Sequence, residues 1–400
     1  MAIDVLLAGG GTAGHVLPAV ATAHALLRRR PELRVALVGV QGGIEERIAA
    51  AAELELEHVP AVPLPRRITP ALATVPLRLR SAVRSARSLL RSEQVRAVVA
   101  FGGYVALPVA LAARGRVPLV LHEQNARPGL ANRVASRFAD AVAVTYASSA
   151  QHLAHPERCR CTGNPVQERL RDLDRAQVRA GARVRLGLDA DRPTLLAFGG
   201  SQGARSINRA LAGAAPGLAR LGLQVLHVSG PRGHDDAVEA WRWAGVEPLP
   251  GRSSAGHPGA DGSPSDPVDT DAVDPTRPSV RILPYLDDMS DAYAAADLVL
   301  ARAGATSLAE IGVLGLPAVL VPYPHATGDH QRANARAAAA AGSAVVLDDA
   351  DLDAAALEAA LRHVLAHAGT MSLAARTLAR PDAAEGVAAV VLEVMDRRGA

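Results

Sequence analysis

The chain has 400 residues, 49% of them hydrophobic and 21% charged, a globular composition that excludes a disordered chain and suggests two or three domains of roughly 100–200 residues each. All 43 basic residues are arginine against 40 acids, for a formal charge of +3, so mechanisms built on a Walker A lysine, a Schiff-base lysine or a lysine general base are excluded. Three Phe, two Trp and five Tyr leave the core to aliphatic side chains, give no stacking platform for single strands, and with the mild charge argue for no nucleic-acid partner.

Met1-Ala2-Ile3-Asp4 leads into an apolar strand, Ile3 to Ala8, without the charged start of a signal peptide. A turn, Gly9 to Gly14, is followed by a helix predicted over Pro18 to Arg29, with arginines in its last turn. Apolar runs at Val35–Val38, Ala97–Ala100, Leu119–Leu121 and Ala141–Val144 alternate with helical stretches. That order predicts α/β architecture with a doubly wound parallel sheet. Cys159 and Cys161 are too close for an unstrained disulfide and too few for a four-ligand zinc site, as expected of a reduced, cytosolic protein.

After Thr162-Gly163-Asn164-Pro165 a second series of strands is predicted at Leu195–Phe198, Val225–Val228, Val280–Leu283, Leu298–Leu300, Val319–Val321 and Ala344–Val346. The expectation is two Rossmann-like lobes with a cleft between them: 1–163, then 164–380, then a C-terminal helix in 381–400 that packs back toward the first lobe. Glu247 to Ser279, rich in Pro, Gly, Ser and Asp, is expected to be a disordered surface insertion. No apolar run reaches the roughly 20 residues that cross a bilayer.

Four turns carry candidate chemistry. In Gly9-x-Gly11-x-x-Gly14 the spacing fits a dinucleotide fingerprint, but the second strand ends Gly39-Val40-Gln41-Gly42 with no acid for a ribose diol. The turn still offers amides and a helix start to a diphosphate, with His15 at the same mouth. The second turn, Phe198 to Asn208, sets Ser201 and Gln202 between glycines. The third, Ala301 to Glu310, has a helix expected from about Thr306, with Thr306 and Glu310 on one face. A carboxylate there can accept from two vicinal hydroxyls. The fourth, His325 to Ala335, offers Asp329 as an N-cap and His330, Gln331 and Asn334 toward sugar hydroxyls. His122, Glu123 and Asn125 are expected just past the end of a strand. No metal and no cofactor are expected. Arg66 to Arg91 holds seven arginines and no acid, either a solvated helix face or a patch for anionic lipid.

In order, GGGTAGHVLPA, FGGYVALP, LHEQNARPGLANR, TGNPV, FGGSQGARSIN, PYLDDM, RAGATSLAE, GLPAVLVPYP and DHQRANA run through the chain. This set resembles the bacterial peptidoglycan N-acetylglucosaminyltransferases, apart from the Glu247–Ser279 stretch. The resemblance implies a two-lobed GT-B fold. It also implies inverting transfer of GlcNAc from UDP-GlcNAc to the muramoyl 4-hydroxyl of lipid I, peripheral to the cytoplasmic face of the membrane. By the same resemblance Thr12, Ala13, Gly14 and Asn125 would line the transfer site, Ser201 would bind the donor, and Leu286 would face uracil with its backbone. Ala305, Thr306, Ser307, Leu308, Ala309 and Glu310 would hold diphosphate and ribose, and Gln331 the GlcNAc hydroxyls. His15 and Glu123 both stand as candidates for the general base. Gln167 occupies a binding position where the family usually has Arg, and Arg169 is the candidate substitute. Another GT-B transferase with a different lipid acceptor, or a non-catalytic nucleotide-sugar-binding protein, are the alternatives.

Overall fold

A computed structural model describes residues 2–62, 74–200, 203–250 and 277–399. The chain divides into two compact units. One comprises Met1–Glu168, His325–Asn334 and Ala379–Ala400; the other comprises Arg169–Pro324 and Ala335–Leu378.

In the first unit the elements follow one another as β1 (Val5–Gly9), α1 (Ala13–Arg29), β2 (Val35–Gly39), α2 (Ile44–Ala51), β3 (Glu55–His58), α3 (Val75–Ser92), β4 (Ala97–Gly102), α4 (Ala106–Ala113), β5 (Leu119–Glu123), α5 (Leu130–Ala135), β6 (Ala141–Val144) and β7 (Cys159–Cys161). The strands form a parallel sheet in the order 3-2-1-4-5-6-7. Successive residues of β1 face opposite sides of the sheet. Val5 and Leu7 join one core with Val16, Val20 and Leu26, whereas Leu6 and Ala8 join another with Ala86, Leu90 and Val109. Burial on both faces explains why these strands read as continuous apolar runs.

The first helix begins at Ala13, five residues before the predicted start, and Pro18 lies inside it. Proline there removes one ladder bond, and Thr22 Oγ1 donates to the Pro18 carbonyl at 2.9 Å. Two charged or short edge strands, β3 and β7, lacked an apolar signal and were not foreseen; neither cysteine is in a disulfide.

A short α6 (Glu168–Arg171) and α7 (Arg175–Arg185) lead into β8 (Thr194–Phe198), α8 (Arg205–Gly213), α9 (Ala215–Arg220), β9 (Gln224–Val228), α10 (His234–Trp243), β10 (Leu249–Pro250), β11 (Val280–Leu283), α11 (Ser290–Ala295), β12 (Leu298–Ala301), α12 (Ala305–Leu314), β13 (Ala318–Leu320), α13 (His330–Ala340), β14 (Ala344–Val346), α14 (Ala354–Ala366), α15 (Ala368–Leu378) and α16 (Ala383–Gly399). The second unit's sheet is also parallel, in the order 10-11-9-8-12-13-14. One correction concerns the 247–279 stretch. Leu249 and Pro250 form an edge strand opposite Arg281 and Ile282, and Glu247 pairs with Arg242 at 2.8 Å; residues 251–276 lie outside the described set.

The α16 helix belongs to the first unit, where Val387, Ala388 and Val391 enter the same core as α1. Glu385 ties it to Arg28 and Arg29 at 2.7 and 2.6 Å.

Candidate active site

The first glycine turn runs between β1 and α1. Gly11 has a φ of 85°, open to a residue without Cβ, and its N–H donates to Glu45 Oε1 at 2.5 Å. Glu45 stands in the first turn of α2 and is 1% exposed. Glycines surround it: a Cβ on Gly10 would lie 2.6 Å from its Oε1, and one on Gly39 would lie 2.7 Å from its Cβ. The turn therefore does not present all its amides to a diphosphate, as the sequence suggested. A carboxylate already takes the Gly11 amide and would repel a second anion. The sequence signal was an acid three residues beyond Gly42, in a helix start where acids are commonplace.

His15 lies in the first turn of α1, half-buried, with Nδ1 3.1 Å from Thr12 Oγ1. Its ring covers Gly102, where a Cβ would come within 2.8 Å of Cδ2 and 3.0 Å of Nε2. Desolvation, aided by the charge of His330, lowers its pKa to about 4, so it is neutral at pH 7. His122 is buried and also lowered to about 4, chiefly by desolvation. Its Nε2 sits 3.1 Å from the Gly163 carbonyl, which can only accept, so Nε2 carries the proton.

His122 and Glu123 are the last residues of β5, not the first beyond it, which corrects their expected placement. Glu123 is 1% exposed and saturated with donors. Its Oε1 accepts from Asn125 N at 2.9 Å and Asn125 Nδ2 at 3.2 Å. Its Oε2 accepts from Asn132 Nδ2 at 2.9 Å and Gly129 N at 3.2 Å. Burial raises its pKa and these four bonds oppose the rise. In this geometry Glu123 ties the 124–129 loop to the start of α5.

Asn334, expected to face sugar hydroxyls, is fully buried. Its Oδ1 accepts from Ala126 N at 2.8 Å and its Nδ2 donates to Asn125 Oδ1 at 3.1 Å. Asp329 does not take the N-cap geometry predicted for it. Its φ is 58° rather than extended, and its side chain pairs with Arg332 at 3.4 Å. Gln331 is half-buried in the first turn of α13, and Gln167 is half-buried before α6.

In the second unit, Ser201 and Gln202 lie outside the described residues. The flanking Gly200 and Gly203 have φ of 85° and 74°. The third turn leads into α12 at Ala305, one residue before the predicted start, with Gly304 as an extended N-cap and no side-chain cap. Such a start suits an anion. Thr306, Ser307, Leu308 and Ala309 are half-buried along the next turn. Glu310 is 8% exposed and its Oε2 accepts from the Tyr293 hydroxyl at 2.7 Å. Desolvation raises its pKa to about 7, against the opposing effects of Tyr293 and of the Arg169 charge. Tyr293 was not foreseen; it reads in sequence as a core aromatic. Arg169 is held by Asp288 at 3.0 Å. Leu286 is buried in the loop after β11.

Residues 5–144 match the glycosyltransferase family 28 N-terminal domain and residues 260–387 match its C-terminal domain. A protein of Acidothermus cellulolyticus is 44% identical over 393 residues, covering 97% of each chain, and one of Mycolicibacterium smegmatis is 41% identical over 401 residues, covering 98% of this chain and 94% of its own. Both are named UDP-N-acetylglucosamine–N-acetylmuramyl-(pentapeptide) pyrophosphoryl-undecaprenol N-acetylglucosamine transferase. The crystal structure of Acinetobacter baumannii MurG is similar with a TM-score of 0.68 and 28% identity, covering 98% of this chain and 99% of that one. A UDP-GlcNAc 2-epimerase from Neisseria meningitidis shares the fold at a TM-score of 0.64 and 13% identity, covering 98% of this chain and all of that one.

Proposed function

The chain belongs to glycosyltransferase family 28, among the UDP-N-acetylglucosamine–N-acetylmuramyl-(pentapeptide) pyrophosphoryl-undecaprenol N-acetylglucosamine transferases, and from that premise we propose that it moves GlcNAc from UDP-GlcNAc to the muramoyl 4-hydroxyl of lipid I, giving lipid II. The observation that carries this reading is identity above 40% to proteins so named, over nearly the whole length of both chains.

In an inverting displacement the acceptor oxygen attacks the anomeric carbon, the bond from that carbon to the diphosphate breaks, UDP leaves, and a base takes the hydroxyl proton. His15 fits the base. It is neutral at pH 7, and in the tautomer whose Nδ1–H donates to Thr12 Oγ1 its Nε2 holds the lone pair. Glu123 fits a positioning role instead, because both oxygens are committed to the loop that carries Asn125. Thr12, Ala13, Gly14 and Asn125 would line the acceptor side.

For the donor, the start of α12 would stabilise the diphosphate charge that develops on the leaving UDP. Glu310 would accept from the ribose diol, Leu286 would meet uracil through its backbone, and Ser201 and Gln331 would complete the nucleotide-sugar contacts. Arg169 is tied to Asp288 and acts on Glu310, which supports a place near the nucleotide for the cation that Gln167 lacks. The reaction so written uses no cofactor.

The same reading places the protein at the cytoplasmic face of the membrane, held by the exposed arginines of α3. No helix among the described residues is long and apolar enough to cross a membrane. The decisive experiment mixes purified protein, UDP-GlcNAc and a short-chain lipid I analogue and follows UDP and the disaccharide product. Disaccharide formation is the expected result. UDP-GlcNAc binding without product would overturn it.

A further inference from the structure

The Asn125 loop continues into a groove of about 680 Å³ that no role described above uses. Arg127, Pro128, Arg133, Arg137, Gln151 and His152 are among its lining residues. Arg133 and Arg137 are four residues apart at α5 and its C-terminal extension, the spacing that places two side chains on one helical face. No acid lines the groove among the described residues. The guanidinium groups of Arg127, Arg133 and Arg137 form no ion pair with any described carboxylate, and all three side chains are exposed. Five other arginines of the first unit, Arg28, Arg29, Arg30, Arg34 and Arg96, each hold a carboxylate at 2.5–2.8 Å, whereas these three, like the arginines of α3, do not. Arg137 Nη1 lies 3.5 Å from the Arg133 carbonyl oxygen, but three guanidiniums without a carboxylate partner lining one groove make a place for an anion supplied from outside, and the forked guanidinium favours carboxylate or phosphate.

We propose that this groove binds the free carboxylates of the acceptor's peptide stem. The inference rests on the transferase reading and gives one part of the acceptor a location. The choice of carboxylate over diphosphate follows from the sugar. In a muramoyl ring the reacting hydroxyl is on C4, and the peptide branches from the lactyl ether on the adjacent C3. The diphosphate leaves C1, across the ring. Arg127 is two residues from Asn125, the residue placed at the transfer site, so a groove that opens there meets the C3 branch first. Five extended residues span at most about 17 Å, so the C-terminal carboxylate and any acidic side chain along the stem stay within reach of it.

The test uses three soluble acceptors with the same short lipid diphosphate: one with the free-acid pentapeptide, one with every stem carboxylate amidated, and one without peptide whose lactyl carboxyl is capped as its amide. Wild type and the double variant Arg133→Gln, Arg137→Gln are compared, with thermal melting to establish that both fold. The wild type should favour the free-acid acceptor over the amidated one. The variant should raise the KM for the free-acid acceptor about tenfold, lose that preference, and leave the KM for UDP-GlcNAc unchanged. An equal rise in KM for the acceptor without peptide would assign these arginines to the diphosphate and overturn the proposal, as would an unchanged KM for the free acid. No turnover by wild type with any acceptor would instead overturn the transferase reading, and the groove assignment with it.

Discussion

Glu123 and Glu310 are both buried carboxyls, and the difference between them lies in their donors. Glu123 receives four hydrogen bonds, whereas Glu310 receives one, from Tyr293, among the described residues. Glu310 therefore keeps an oxygen for the ribose diol proposed above, and desolvation holds its pKa at about 7, above the ordinary 4.5. The folded protein binds this proton more tightly than the unfolded chain does, so the group's contribution to stability is present at low pH and fades as pH rises from 4.5 toward 7. Diol binding needs the ionised form, so the KM for UDP-GlcNAc should fall about tenfold between roughly pH 6 and pH 8. Glu310→Gln should flatten that profile and raise KM throughout; a wild-type KM independent of pH would remove the ribose role. His15 has the opposite shift. Its folded pKa of about 4 lies below 6.5, so as pH falls through that window the unfolded chain takes the proton first and stability is lost. The neutral base persists across the same window, and kcat should stay level down to about pH 5. His15→Gln should lower kcat by about 10²–10⁴-fold with little change in either KM, and kcat within threefold of wild type would move the base elsewhere.

At the scale of elements, the glycine turn after β1 owes its shape to a neighbouring helix. Glu45 reaches from α2 to the Gly11 amide, and Gly10, Gly39 and Gly43 leave room for it. Glu45→Ala removes a charge-assisted bond and should cost about 1.5–3 kcal/mol of stability, read as a lower melting temperature. It should also lower kcat, because His15 starts from the same turn. Glu45→Gln keeps an acceptor oxygen and should restore most of both. Equal damage from the two variants would mean that the charge itself, not the bond, shapes the turn. The sequence showed the strands that bury both faces, since a two-sided apolar run needs no context to be recognised. It did not show β3, which carries an exposed Glu55 and a half-buried Glu57 at the sheet edge, nor the early start of α1, because Pro18 resembles a helix opening. The turns that carry the candidate site residues were legible from glycine spacing. Their partners Glu45, Asn132 and Tyr293 were not, because each is an ordinary helix residue until the fold brings its side chain to the loop.

For the molecule as a whole, a formal charge of +3 over 400 residues is too small to draw the protein to anionic lipid, so the membrane attachment proposed above needs a local face. The α3 helix supplies one. It buries Ala82, Ala86 and Leu90 and leaves Arg78, Arg80, Arg84, Arg87 and Arg91 exposed. Leu77, 71% exposed near its start, adds an apolar contact. Arg66 and Arg67, the remainder of the basic run, lie outside the described residues. Each arginine near an anionic surface contributes on the order of 1 kcal/mol. Replacing Arg80, Arg84 and Arg87 together by Gln should therefore weaken binding to vesicles rich in phosphatidylglycerol by on the order of a hundredfold at low salt. The loss should shrink as added salt shortens the screening length to about 8 Å at 0.15 M, and neutral vesicles should bind both proteins alike. Affinity for UDP should not change, since none of the three arginines belongs to the second unit. Vesicle binding equal to wild type would return α3 to the role of a solvated helix and move the contact to the exposed apolar residues, for which Leu77→Ser is the companion variant.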